Sequence, residues 1–290
     1  MKTASIIIPT FNRANLVHRA IESAINQTYP CEVILCDHGS TDTTPHVAAR
    51  YKDKIRYIRK QEDKGPIVCW RDGLERSTGE IIHFTYDDDW IEPTFMEKTI
   101  GLLKDDVGFV YTNFALHDKD KGDVRVMEEH PAGIQPMEEI VKLFLRCHIT
   151  AISPGCAIFR REDALKNLLL EVPGAFGIYG KNSGVGEDML LFLLTSLDYP
   201  KYAYIPEPLA CFLFHSQSIT IDAAATGKKR ALVDAYGNAK KHYFAQPGSL
   251  PPQSRFQELM SILKWKYECG ALATAPVRFA KRGLSKLFQR

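Results

Sequence analysis

Three consecutive aspartates, Asp87, Asp88 and Asp89, follow the apolar run Ile81 to Thr85. Adjacent carboxylates repel one another and resist ionising together unless a cation or strong donors compensate them. A hard divalent cation that takes oxygen ligands and bridges a diphosphate resolves that conflict, so Mg²⁺ or Mn²⁺ is implied. A solvated acidic turn ahead of Pro93 is the plainer alternative. Farther along, Glu187 and Asp188 follow the glycine-rich segment Pro173 to Gly186 and open the apolar stretch Met189 to Leu197. A carboxylate placed there suits a general base beneath a closing loop, and it equally suits a helix N-terminus whose dipole favours negative charge. A third polar group, Thr10, Asn12, Arg13, Asp37, Ser40 and Asp42, lies just after two earlier apolar runs. At a strand end Asp37 can accept a hydrogen bond from a base or ribose, or it can organise Gly39 and Ser40 as an Asx-turn.

The elements that must position these groups are of the α/β kind. Over the first hundred residues, β-branched runs alternate with helical periodicity, the pattern of βαβ units and a mainly parallel sheet. Strands are expected at Ala4 to Ile8, Val33 to Cys36, Ile55 to Ile58, Ile81 to Thr85 and Val107 to Tyr111. Leu16, Val17, Ala20, Ile21, Ala24 and Ile25 form one helical stripe, with Asn12 as the expected N-cap. A second helix is expected from Pro66 to Ser77, closed by Gly79. From about residue 112 to 150 the alternation fades into charged, Gly/Pro-bearing stretches, where loops and short helices are expected before a strand returns at Cys156 to Phe159. In such a sheet the loops at the carboxyl ends of the strands collect the groups that bind a nucleotide.

Three blocks, Ser5-Ile-Ile-Ile-Pro-Thr-Phe-Asn-Arg13, Glu32-Val-Ile-Leu-Cys-Asp-His-Gly-Ser-Thr-Asp42 and Gly79-Glu-Ile-Ile-His-Phe-Thr-Tyr-Asp-Asp-Asp-Trp-Ile-Glu-Pro93, resemble in order and spacing the successive signatures of family 2 glycosyltransferases. The likeness continues through Gly155 to Arg161, Glu187-Asp188 and Pro206 to Thr220, and covers residues 3–220. It implies a GT-A fold, Rossmann-like with a mainly parallel central sheet, and a helical C-terminal extension. It also implies an inverting, metal-dependent enzyme that moves a sugar from a nucleotide-sugar, a UDP-sugar for preference, to a hydroxyl of a glycan or lipid-linked glycan acceptor. Polysaccharide or other cell-envelope assembly in a bacterium is the setting implied. Residues 1–111 would form the nucleotide-sugar-binding half, 112–221 the acceptor-binding half with the base, and 222–290 the extension.

By the same resemblance, Pro9 and Asp37 border the base, Thr10, Asn12, Arg13 and Ser40 belong to the nucleotide loops, and Asp87 lies near the ribose. Asp88 matches the metal-binding carboxylate, with Asp89 beside it; Asp188 matches the catalytic base, with Glu187 as a supporting or acceptor-orienting group; His215 matches a histidine near the phosphates or metal. The chain departs from the pattern in four places. Tyr86 stands where the first Asp of the acidic motif is usual, Asp37-His38-Gly39-Ser40 where Asp-Asp-Gly-Ser is common, and Leu213 where an Arg often precedes the histidine. Cys69-Trp70-Arg71-Asp72 replaces an Ala-Arg-Asn segment, so Arg71 is either a displaced diphosphate partner or a surface arginine. His38 is expected to be an exposed loop residue, and a core or loop role for His215 competes with ligation.

Composition excludes several classes and leaves one open. With 290 residues, 45% hydrophobic and 25% charged, the chain can bury a core without metal or disulfide staples, and it is not collagen-like or disordered. Its net charge of +2 supplies no reason to expect nucleic acid as a partner. Yet residues 228–290 hold 13 Lys+Arg against 3 Asp+Glu, a local +10 that leaves −8 on the rest. At the very end Val277, Ala280, Leu284, Leu287 and Phe288 line one helical face and basic residues the other, which suits either an anionic membrane surface or a solvated helix packed on the domain. The N-terminus has no apolar signal region, so a cytoplasmic location, peripheral at the inner face of the membrane, is expected. Seven scattered cysteines without a C-x-x-C pair read as reduced thiols. A sugar-1-phosphate nucleotidyltransferase or a dinucleotide enzyme would need a glycine-rich first loop, which Pro9 to Arg13 lacks. A non-catalytic sugar-nucleotide-binding module remains as the alternative to an enzyme.

Overall fold

The computed structural model describes residues 2–118, 122–126, 131–146, 153–174, 184–214 and 229–251. The elements, in chain order, are β1 (Ala4–Thr10), α1 (Val17–Ile25), β2 (Glu32–Asp37), α2 (Thr44–Ala49), β3 (Arg56–Arg59), α3 (Pro66–Arg76), β4 (Ile81–Phe84), β5 (Trp90–Ile91), α4 (Phe95–Leu102), β6 (Val107–Asp118), β7 (Gly122–Val126), β8 (Gly133–Pro136) and α5 (Met137–Arg146). A 3-10 turn (Pro154–Cys156), β9 (Ala157–Arg160), α6 (Arg161–Asn167), α7 (Glu187–Thr195), β10 (Lys201–Phe214) and α8 (Lys229–Phe244) complete them.

The sheet runs β3-β2-β1-β4-β9-β6-β10-β5, with β7 paired to β6 and β8 to β10. Strands β3, β2, β1 and β4 are mutually parallel, β6 and β10 are parallel to each other, and β9 runs antiparallel between β4 and β6. Every residue of β1 is buried, as a strand covered on both faces requires, and its apolar run is continuous for the same reason. Register then decides what reaches the rim. Thr10 lies opposite Asp37 and Ile7 opposite Phe84, so β1, β2 and β4 deliver their following loops to one edge of the sheet. Because β9 is reversed, its N-terminal approach, Ser153 to Gly155, arrives at the same edge.

Helix α1 buries the stripe Val17, Ala20, Ile21 and Ala24, as its periodicity predicts. Asn12 is not its N-cap, however. Leu16 holds that position, after a turn in which Arg13 O accepts from the N–H groups of Leu16 and Val17. The strand expected to stop at Tyr111 continues to Asp118: at Thr112 and Asn113 the apolar pattern breaks and the pairing with β10 shifts register, then resumes beyond them. Their polar groups are satisfied in place: Thr112 donates to Asn113 O at 2.9 Å and Asn113 to Pro206 O at 3.3 Å. The region expected to hold loops and short helices thus has one short helix, α5, and more strand than expected. Cys36, Cys69, Cys156 and Cys211 are buried free thiols and Cys31 is half-buried, whereas Cys147 and Cys269 lie outside the described residues. Among the described residues no helix is long and apolar enough to cross a membrane.

One core residue makes stability depend on pH. His83 on β4 is fully buried, donates from Nδ1 to Ala157 O at 2.8 Å and packs on Phe95 with ring centroids 4.4 Å apart. Burial pushes its pKa down from 6.5 to about 4. Between those values the unfolded chain takes up a proton that the folded chain refuses, so this residue lowers stability as pH falls from 6.5 to 4, by roughly 3 kcal/mol in full. The buried aspartates act in the opposite sense, so the comparison is with His83→Gln, whose melting temperature is expected to fall less than that of the parent between pH 7 and 5. Equal slopes would remove His83 as the cause.

Candidate active site

The first two loops at the rim are tied into one surface by short side chains. Asn12 adopts a positive φ of 54°, which Asn tolerates better than most residues. Its Oδ1 accepts from Thr41 N at 2.8 Å and Asp42 N at 3.3 Å, while its own N–H donates to Ser40 Oγ at 2.9 Å. Asp42 returns the tie by accepting from Ala14 N at 3.1 Å. Asn12 and Ser40 are thus the splice that holds the loops at a fixed separation. Asp37 is fully buried: Oδ1 accepts from Ser40 N at 2.8 Å, and Oδ2 accepts from the Tyr57 hydroxyl at 2.5 Å with Arg59 Nε at 3.7 Å. The turn-organising role is therefore realised, and Tyr57 and Arg59 on β3 join the site, although no feature of the sequence marked them. Phe11, 41% exposed next to Asn12 on the first loop, is a second unmarked addition.

The acidic loop follows β4. Asp87 faces Arg13, with Nε 3.9 Å from its Oδ1. Burial and then the charge of Asp88 push the Asp87 carboxyl up to about 7, against the Thr10 hydroxyl, Arg13 and Phe11 N–H, which pull it down. Asp89 is buried, with Oδ1 accepting from Leu213 N at 2.8 Å, and burial and the Asp88 charge raise its pKa strongly. Asp88 is half-buried between them. Among the described residues no three His, Cys, Asp or Glu side chains converge as a ready-made cage for a metal ion. The loop nevertheless fits a divalent cation of the kind held by one or two carboxylates and completed by phosphate oxygens, because its aspartates are close enough to oppose one another's ionisation.

Asp188 comes from α7, later in the chain. It lies in the first turn of α7, where Oδ1 accepts from Gly186 N at 2.9 Å and Met189 N at 2.7 Å and Oδ2 accepts from the Tyr236 hydroxyl at 3.1 Å. Desolvation raises its pKa to about 6 in spite of those donors, close to where a general base is most useful. Gly186 makes this turn possible: its φ is +96°, and a Cβ there would lie 3.1 Å from Ala235 O on α8. Glu187 is fully buried and faces no open surface.

Tyr86 ties the acidic loop to α3 and to the approach of β9. Its ring stacks on Trp70 with centroids 5.3 Å apart, and its hydroxyl pairs with Ser153 Oγ at 2.8 Å. Gly155 leaves room for it, since a Cβ at that position would lie 3.1 Å from the ring. Burial, and then the Asp188 charge, push the pKa of the Tyr86 hydroxyl up. One of the two alternatives left for Arg71 is favoured, and the expectation for His38 is corrected. Arg71 bonds Glu75 Oε1 at 2.8 Å and Leu165 O at 2.5 Å, docking α3 on α6 in the manner of a structural surface arginine. His38 is 2% exposed, held by Asp72 at 3.2 Å, because α3 covers the start of that loop; burial lowers its pKa. His215 and the segment 175–183 lie outside the described residues.

The model of the glycosyl transferase family 2 domain matches residues 5–168, more than half of the chain and all of the acidic loop. The chain belongs to this family. Among family relatives, EpsH of Bacillus subtilis, named as a glycosyltransferase, is 27% identical over 221 residues, covering 74% of this chain and 62% of EpsH, less than two thirds of that protein. Among solved structures, S. aureus TarS (residues 1-349) superposes with a TM-score of 0.65 at 15% identity, over 98% of this chain and 77% of that one. The Pyrobaculum calidifontis mannosyltransferase PcManGT superposes with a TM-score of 0.58 at 17% identity, over 95% and 76% of the two chains. These likenesses establish the GT-A fold of this family 2 member.

Proposed function

We propose that the chain is an inverting, metal-dependent glycosyltransferase that moves a sugar from a nucleotide-sugar, a UDP-sugar in the first instance, to a hydroxyl of a glycan or lipid-linked glycan. One observation carries this reading: an acidic loop that calls for positive compensation shares a rim with a separate carboxylate, Asp188, whose pKa is raised to about 6. The solved relatives support the donor class, TarS having been crystallised with UDP and with UDP-GlcNAc and the mannosyltransferase with GDP-Man and Mn²⁺.

In this mechanism Pro9, Thr10, Asn12, Arg13, Asp37 and Ser40 hold the nucleotide, with Asp87 toward the ribose. Asp88, with Asp89 beside it, would hold Mn²⁺ or Mg²⁺, which supplies positive charge against the diphosphate. Asp188 Oδ2, which accepts one hydrogen bond in the resting state, takes the proton of the acceptor hydroxyl. The acceptor oxygen bonds to the anomeric carbon as the bond from that carbon to the diphosphate oxygen breaks on the opposite face, so the configuration inverts. Residues 1–111 would serve the donor, 112–221 the acceptor, and the basic segment 222–290 would meet an anionic membrane surface or a lipid-linked acceptor at the inner face of the cytoplasmic membrane.

A thermal-shift screen of UDP-, GDP-, TDP- and CMP-sugars with and without Mn²⁺ tests the donor site. One nucleotide class is expected to stabilise the protein, by about 2.7 kcal/mol at a hundredfold excess over Kd, and more with Mn²⁺ than without. Stabilisation by none of them sinks the reading.

A further inference from the structure

Asp188 lies beyond residues 5–168 matched by the family 2 model, and its own turn does not supply all of its hydrogen bonds. The third donor to its carboxylate, after two backbone N–H groups of its own turn, is a phenol 48 residues away on α8. We propose that Tyr236 is a positioning residue for Asp188, and that α8 is therefore part of the catalytic centre instead of an appendage to it. The inference rests on the reading of Asp188 as the base.

Three features support it. Tyr236 is buried, and its hydroxyl lies 3.1 Å from Asp188 Oδ2, the oxygen left over when Oδ1 takes both N–H groups. That bond fixes the rotation of the carboxylate about its own side chain and so aims the remaining lone pair. The helix that presents Tyr236 cannot drift, because Leu232, Ala235, Ala239 and Tyr243 are buried along one face and Ala235 O packs on the glycine that starts the Asp188 turn. Tyr86 from the acidic loop, committed to Ser153, also feels the Asp188 charge, and the fully buried Glu187 precedes Asp188 on α7. Tyr236 is thus the side chain bonded to Oδ2 that can hold it toward an acceptor without carrying charge.

The test is Tyr236→Phe, which keeps the ring and removes the donor. In protein labelled with ¹³C-aspartate, the Asp188 carboxyl resonance, assigned by its loss in Asp188→Asn, is titrated in the parent and the variant. Loss of a donor to the ionised form is expected to raise the Asp188 pKa by about half a unit or more. With the donor selected by thermal shift and water as acceptor, turnover is expected to fall about tenfold with the donor KM unchanged, and its acid limb to move upward with the carboxyl. An unmoved resonance and an unchanged rate overturn the proposal. If Asp188→Asn itself turns over normally, it is the base assignment that fails; if Asp188→Asn is inactive and Tyr236→Phe is not affected, only the role of Tyr236 fails. A Tyr236→Phe protein that melts far below the parent, with the resonance unmoved, would likewise mark Tyr236 as structural.

Discussion

Replacing Asp188 by Asn is expected to lower sugar transfer by about 10²- to 10⁴-fold, the range lost with a general base, while donor affinity stays within about twofold. The substitution is nearly isosteric, and its bonds survive it. The Asn oxygen can accept from Gly186 N and Met189 N as Oδ1 does, and its amide can donate to the Tyr236 hydroxyl, which then accepts. A buried charge is removed at the same time, so stability should hold or rise. What disappears is the proton acceptor. The parent enzyme should lose rate below about pH 6, since Asp188 must be ionised to act, whereas residual turnover of the variant should lack that limb. Single-turnover rates with saturating donor and melting curves on both proteins check this. Near-parental turnover in the variant assigns the base elsewhere.

The parts of this site that sequence makes legible are those whose chemistry is local. Three adjacent aspartates announce their own conflict, and the continuous apolar run of β1 announces a strand buried on both faces, so the rim they share follows from strand order alone. Asn12 was legible as a polar residue at the right loop, but not as the splice between two loops, because its partners Thr41 and Asp42 are brought to it by register and not by spacing. His38 read as exposed because its neighbours are glycine and serine; the cover comes from Asp72, on a helix whose placement no local pattern states. Arg71 shows the converse, since its position hints at a ligand while Glu75 and Leu165 already claim its guanidinium. Tyr236 is the strongest example. It sits in the basic extension, and only the packing of α8 against α7 reveals that it touches the base.

Asp88→Ala is expected to weaken nucleoside diphosphate binding by at least about tenfold in Mn²⁺, while binding in EDTA changes little. The three aspartates are not equivalent in the structure, and this predicts different failures for each. Asp87 is engaged with Arg13, and Asp89 holds the backbone of β10 through Leu213 N. Asp88 lies between them and raises the pKa of both, so its removal relieves repulsion in the metal-free protein. Melting of the variant without metal should therefore be no lower than that of the parent, even though its response to UDP plus Mn²⁺ is lost. Asp89→Ala should behave in the opposite way, losing about 1–3 kcal/mol of stability because a buried N–H is left without its acceptor. A thermal-shift matrix of the two variants against UDP, Mn²⁺ and both together separates a ligand from a strut. An undiminished Mn²⁺ response in Asp88→Ala would move the metal role to Asp87 or Asp89, and a lowered metal-free melting temperature would show that Asp88 is held in the fold more firmly than its like-charged neighbours imply.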